Sequence, residues 1–155
     1  MEVRAATPAD IPVVRELFTE YATGLGIDLA FQAFDEERAQ LPGRYAPPTG
    51  RLFLAWDGDT AAGCIALRGL DEHRCEMKRL YVRPAYRGTG LGRVLAIRAI
   101  EEATAIGYAS VYLDTLPSMA AAIELYKSLG FVPTEPYCHN SVPGALFLFK
   151  LIRFV

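Results

Sequence analysis

Cysteine and histidine are scarce here, with three of the first and two of the second in 155 residues. Cys64, Cys75 and Cys138 form an odd set without CxxC spacing, which excludes a disulfide framework and leaves them as small apolar residues. His73 and His139 are too few and too far apart for a zinc cluster, so no metal is expected. No apolar run approaches the ~20 residues needed to cross a bilayer. The opening Met1-Glu2-Val3-Arg4 lacks the apolar core of a signal peptide. These absences point to a cytoplasmic chain with no membrane role. A net charge of −2 gives no global reason to expect nucleic acid. Internal repeats, low-complexity tracts and interdomain linkers are also missing.

What the chain does have is apolar residues, 52% of the total, enough for a core in one domain over residues 1–155. Glu2–Ala5 reads as a first strand. Thr7-Pro8-Ala9-Asp10 then opens a helix carrying Val13, Val14, Leu17, Phe18 and Tyr21 at helical spacing. Gly24 and Gly26 end it, and Phe34–Leu41 forms a short second helix. Arg51–Trp56 and Thr60–Arg68 are strands joined by a hairpin at Asp57-Gly58-Asp59. Cys75–Arg83 is a strand stopped by Pro84, and Leu91–Ile106 a long helix closed by Gly107. Ser110–Leu113 is a strand and Ser118–Leu129 a helix, ended by Gly130-Phe131. A proline-rich loop, Pro133–Gly144, precedes a last strand, Ala145–Leu151. The order predicts an α+β fold: one mixed sheet, mostly antiparallel, with one parallel β-α-β crossover.

Charge is unevenly spread. Arg74, Lys78, Arg79, Arg83, Arg87, Arg93 and Arg98 crowd one stretch whose sole acid is Glu76, a local field suited to a small polyanion. Within it, Arg87-Gly88-Thr89-Gly90-Leu91-Gly92 follows a strand and opens the long helix. Glycines let backbone N–H groups converge, and a helix N-terminus adds about half a positive charge. Arg87 adds charge-assisted hydrogen bonds, and pyrophosphate fits such a cradle. A Walker loop would end in Gly-Lys-Ser/Thr, which is absent. The dinucleotide pattern GxGxxG/A fails from Gly88, where Arg93 takes the last place, and from Gly90, where Leu95 does. A turn built for structure alone is the remaining alternative.

The same segment matches the (Q/R)xxGx(G/A) motif of the GNAT superfamily of N-acetyltransferases. Leu80-Tyr81-Val82-Arg83-Pro84 resembles that family's preceding strand. Ala-Ile-Glu-Leu-Tyr-Lys-Ser-Leu-Gly-Phe, residues 122–131, is similar to its second conserved block, and the element order resembles the family's over nearly the whole chain. The resemblance implies a sheet that splays, with helices on both faces and acetyl-CoA wedged between the strands Cys75–Arg83 and Ser110–Leu113. Pantetheine amides would pair with the backbone of Leu80 and Val82, Tyr81 between them is also cofactor-binding, and the pyrophosphate would sit on amides from Arg87 and Gly88 through Thr89, Gly90, Leu91 and Gly92. Met119 stands where the family often has Asn, so Ser118 is the substitute expected to reach the cofactor.

A thioester is already activated, so the protein need only accept a proton and steady the leaving thiolate. Glu76, on the strand before the loop, is the candidate base; its alternative role is an ion pair with Lys78 or Arg74. Tyr126, matching the family's proton donor in position, is the candidate acid; its alternative role is a core tyrosine. The acceptor is a small-molecule or peptide amine. Its site is expected from the loops Gly24–Gly50 and Pro133–Gly144, with Phe31, Phe34, Tyr45, Tyr137, His139 and the acids Asp28, Asp35, Glu36 and Glu37. A monomer or homodimer fits. The competing function is a CoA-binding module of the same fold without catalysis, against which Glu76 and Tyr126 both argue.

Overall fold

The computed structural model of the chain describes residues 1–26 and 33–153. Strands are continuous where the sequence is apolar on both alternating sets of positions, as burial on two faces demands. Thus β2 (Arg51–Asp57) and β3 (Thr60–Gly69) are buried along most of their length. With β1 (Glu2–Ala5), β4 (Arg74–Val82), β5 (Ser110–Thr115), β6 (Val132–Pro133) and β7 (Leu146–Leu151) they make a seven-stranded sheet in the order β1-β2-β3-β4-β5-β7-β6. Every pairing is antiparallel except β4 with β5.

Alternation along β2 sends Phe53 and Ala55 to one core and Leu52 and Leu54 to another. The first core takes its helical half from α3 (Leu91–Ile106), with Leu95, Ala96, Ala99 and Ala103 fully covered. The second takes Val14, Leu17 and Phe18 from α1 (Ile11–Leu25) and Phe34 from α2 (Phe34–Ala39). Each Leu or Phe buried this way contributes about 1.5–3 kcal/mol. α4 (Ala120–Ser128) lies at the rim of the first core, where Tyr126 packs edge-on against Phe131. The crossover β4–α3–β5 is the one that the element order predicts.

Candidate active site

The parallel ladder between β4 and β5 runs through Arg74–Ser110, Cys75–Val111 and Glu76–Tyr112, then stops. β4 continues to Val82 and β5 to Thr115 without pairing to each other among the described residues. An unpaired edge inside a sheet leaves backbone N–H and C=O groups in need of partners.

A bulge sits on the opposite side of β4, in its ladder with β3. β3 steps two residues, from Cys64 to Ala66, while β4 steps three, from Tyr81 to Lys78. Arg79 carries φ +60, which a residue with a Cβ adopts only at a cost. Its Nε and Nη2 donate to Glu37 on α2 at 2.9 and 3.1 Å, and its guanidinium lies over the rings of Phe34 and Tyr21. Opposite the bulge, a Cβ on Gly63 would come within 2.6 Å of the Tyr81 carbonyl oxygen, so only glycine fits. The extra residue reverses the alternation. Glu76 and Lys78 face the α2 side, whereas Leu80 and Val82 turn to the α3 core.

Two clefts result. The larger, about 650 Å³, runs from Leu80, Tyr81 and Val82 past Arg87, Gly88, Gly90, Leu91 and Gly92 to Ser118 and Met119. Thr89, the remaining loop position, turns its hydroxyl onto the Tyr86 carbonyl at 2.6 Å. Gly88 and Gly90 hold φ +79 and +85, which turns the loop into α3. The amides of Gly88 through Arg93 have no acceptor among the described residues, as the first turn of a helix requires. Arg87 folds back, with Nε on the Val82 carbonyl at 3.0 Å. Met119 precedes α4 with a non-helical ψ of 58, and its sulfur receives the Thr115 hydroxyl at 3.6 Å. The cradle is therefore backbone, and it suits a pyrophosphate.

The smaller cleft, about 420 Å³, lies on the α2 side and takes in Glu36, Glu37, Tyr45, Arg68, Glu76, Lys78 and His139. A chain of ion pairs lines it. Glu76 accepts Arg68 Nε at 2.5 Å on Oε1 and the Tyr137 hydroxyl at 2.7 Å on Oε2. Glu37 accepts Tyr45 and Arg79, and Lys78 Nζ lies 3.6 Å from Asp114. Burial works to raise the Glu76 carboxyl, but Lys78, Arg68 and the two hydrogen bonds outweigh it and its pKa falls below the ordinary value. Tyr137 is pushed up, first by burial and then by the neighbouring carboxylate.

Tyr126 is 7% exposed and belongs to the first core. Its hydroxyl makes no hydrogen bond among the described residues, yet it is not sealed from the surface. Burial raises its pKa, with smaller contributions from Tyr21 and Asp114, and the residue lines neither cleft. Of the other acceptor-side residues, Phe34 is buried under Arg38 and Arg79, and Asp35 pairs outward with Arg38. Phe31 and Asp28 lie outside the described residues.

The acetyltransferase (GNAT) family model matches residues 11–131. The chain belongs to the GNAT family. An uncharacterized N-acetyltransferase of Schizosaccharomyces pombe is 43% identical over 91% of this chain and 88% of its own length. An acetyltransferase structure from Staphylococcus aureus superposes with a TM-score of 0.80 at 18% identity, covering 98% of this chain and 99% of that one. A Salmonella typhimurium acetyltransferase solved with its cofactor acetyl-CoA gives 0.73 at 22%, covering 100% and 95%. This GNAT chain is an acyltransferase of the N-acetyltransferase class.

Two features of the GNAT site escaped the sequence. Arg68 reaches Glu76 only because β3 and β4 pair in that register. Glu76 is ion-paired, as its alternative reading had it, with Lys78 beside it but with Arg68 in place of Arg74, which bonds Asp71 instead. The basic stretch is mostly neutralised by acids from elsewhere: Arg83 pairs with Glu16 and Glu20, and Arg79 with Glu37. Of its seven cations, Arg87 alone lines the glycine-loop cleft among the described residues. Among the described residues no group of three His, Cys, Asp or Glu could hold a metal ion, and no helix is long and apolar enough to span a membrane.

Proposed function

We propose that the chain moves an acetyl group from acetyl-CoA to a primary amine by direct attack in a ternary complex. The observation that carries this reading is the pair of clefts on β4. One borders residues 80–82 and the amide cradle, and the other borders Glu76 and Lys78. They flank the bulge where the sheet opens. Leu80, Tyr81 and Val82 offer a free strand edge to pantetheine, and the amides of 88–93 receive the pyrophosphate. Ser118 lies across the cleft at the start of the α4 segment.

When bound, acetyl-CoA supplies a thioester that an uncharged amine attacks without covalent help from the protein. Glu76 then takes the nitrogen's surplus proton. An ionised carboxylate of lowered pKa is a weak base toward a free ammonium near pKa 10. It suffices once the nitrogen is bonded to the acyl carbon, because that proton is far more acidic. Tyr126 gives its phenolic proton to the departing sulfur, and solvent returns one to it as Glu76 releases its own. The N–C bond forms, the C–S bond breaks, and no proton is left over.

The test is a melting curve with and without acetyl-CoA, followed by mass spectrometry of an amine panel. Acetyl-CoA at about 100 times its dissociation constant should add about 2.7 kcal/mol to stability. NADH and ATP should add little. Binding without transfer to any amine would favour the non-catalytic module, and no shift at saturation would overturn the cradle.

A further inference from the structure

Lys78 carries an ammonium with three donors in a side chain only 4% exposed. Its one ion-pair partner within 4 Å among the described residues, Asp114, lies 3.6 Å away, beyond hydrogen-bond length, and already accepts Asn140 Nδ2 at 3.0 Å, while the Glu76 carboxylate two residues before it adds a coulombic attraction. A buried cation held this loosely has its desolvation poorly offset. Arg68 is similar. Only its Nε–H makes a hydrogen bond among the described residues, and its nearest other carboxylate, on Glu37, is 4.0 Å from Nη1. Its terminal nitrogens have donors to spare.

Register brings these cations together. Arg68 stands opposite Glu76 on the paired strands, and Lys78 follows Glu76 by two residues on the same face. All three line the 420 Å³ cleft. The order along it is cation, carboxylate, cation, and the carboxylate is the group assigned to the amine.

We infer that the acceptor is a small amino acid, its carboxylate held by Lys78 Nζ and the terminal nitrogens of Arg68 and its amine presented to Glu76. This rests on the acetyl-transfer reading above. A polyamine would instead set a second positive charge against both cations, and a neutral amine would leave them without an anion.

The experiment compares matched acceptors on the whole protein: an α- or β-amino acid, its carboxamide, the decarboxylated amine and a dipeptide. The free acid should exceed its carboxamide in kcat/KM by about 30-fold or more, the ratio expected when a buried charge loses its partner. Lys78→Met should erase most of that ratio and leave the KM for acetyl-CoA unchanged. Preference for the dipeptide over the free acid would overturn the amino-acid assignment. Transfer to amines without regard to the carboxylate would overturn this inference and leave acetyl transfer standing. A second reading needs no turnover. N-acetyl amino acids should raise the melting temperature of the CoA-saturated protein, N-acetyl carboxamides should not, and Lys78→Met should lose the effect. If no amine is acetylated, the transfer reading fails and this melt decides the inference: a carboxylate-specific rise upholds it, and its absence overturns it.

Discussion

Glu76 has both carboxylate oxygens engaged, one by Arg68 and one by Tyr137, in a place where burial by itself favours the neutral acid. The cations win, and the folded-state pKa lies below the unfolded one. The ion pair therefore stabilises the fold fully above the unfolded carboxylate pKa of about 4.3, and that stabilisation is lost as pH falls through the lower folded value. Glu76→Gln should melt below the wild type at pH 7, with the two curves converging in acid. If Glu76 also takes the acceptor's proton, the same variant should lose ~10²–10⁴-fold in turnover while binding acetyl-CoA normally. A destabilised variant with full turnover would leave Glu76 as an ion-pair residue only. Tyr126 is the cleaner case, because its hydroxyl has no partner in the described fold to orphan. Tyr126→Phe should keep its melting temperature to within about 2 °C, since no buried hydrogen bond is lost. Its turnover should fall by ~10², the lower end for general acid catalysis, since a thiolate is already a fair leaving group. Unchanged turnover would retire the proton-donor role. These two side chains were legible as candidates in the sequence; their partners were not. Arg68 and Tyr137 lie 8 and 61 residues from Glu76, and only strand register and a returning loop bring them to it.

At the scale of elements, punctuation was the readable part. α3 begins at Leu91 and ends at Ile106, between Gly90 and Gly107, because both glycines take the left-handed conformation that stops a helix. α4 begins two residues later than expected, since Met119 is not helical and Ser118 and Met119 belong to the cleft wall. β6 has two residues and exists only through its pairing with β7, so no local pattern announces it. The turn into α3 carries its own test. A Cβ at Gly90 meets nothing within 4 Å, and aspartate tolerates φ near +85 better than most residues. Gly90→Asp should thus fold, at a cost of about 1–2 kcal/mol. Its carboxylate would stand among the free amides and repel a pyrophosphate, so acetyl-CoA affinity should drop by about 100-fold or more. Calorimetric titration showing wild-type affinity in a folded variant would move the phosphate site elsewhere.

For the whole molecule, the sequence by itself determined which stretches become the strands and helices other than β6, that the sheet is mixed, and that a glycine turn opens α3. Each of these depends on neighbours along the chain: alternation, helical spacing, glycine at a turn. Tertiary structure alone decided where β4 parts from β5, because the split shows in pairings made across strands distant in sequence. It also placed the extra residue at Arg79, whose strained φ is held by Glu37, 42 residues away. The charges were decided in the same way. In sequence the basic stretch reads as one positive field. In the fold, acids from α1, α2 and β5 enter it, because burying an unpaired cation costs more than any local preference of the chain. What remains is spare donor capacity on Lys78, whose partner Asp114 stands 3.6 Å away, and on Arg68, the two set on either side of Glu76 by strand pairing.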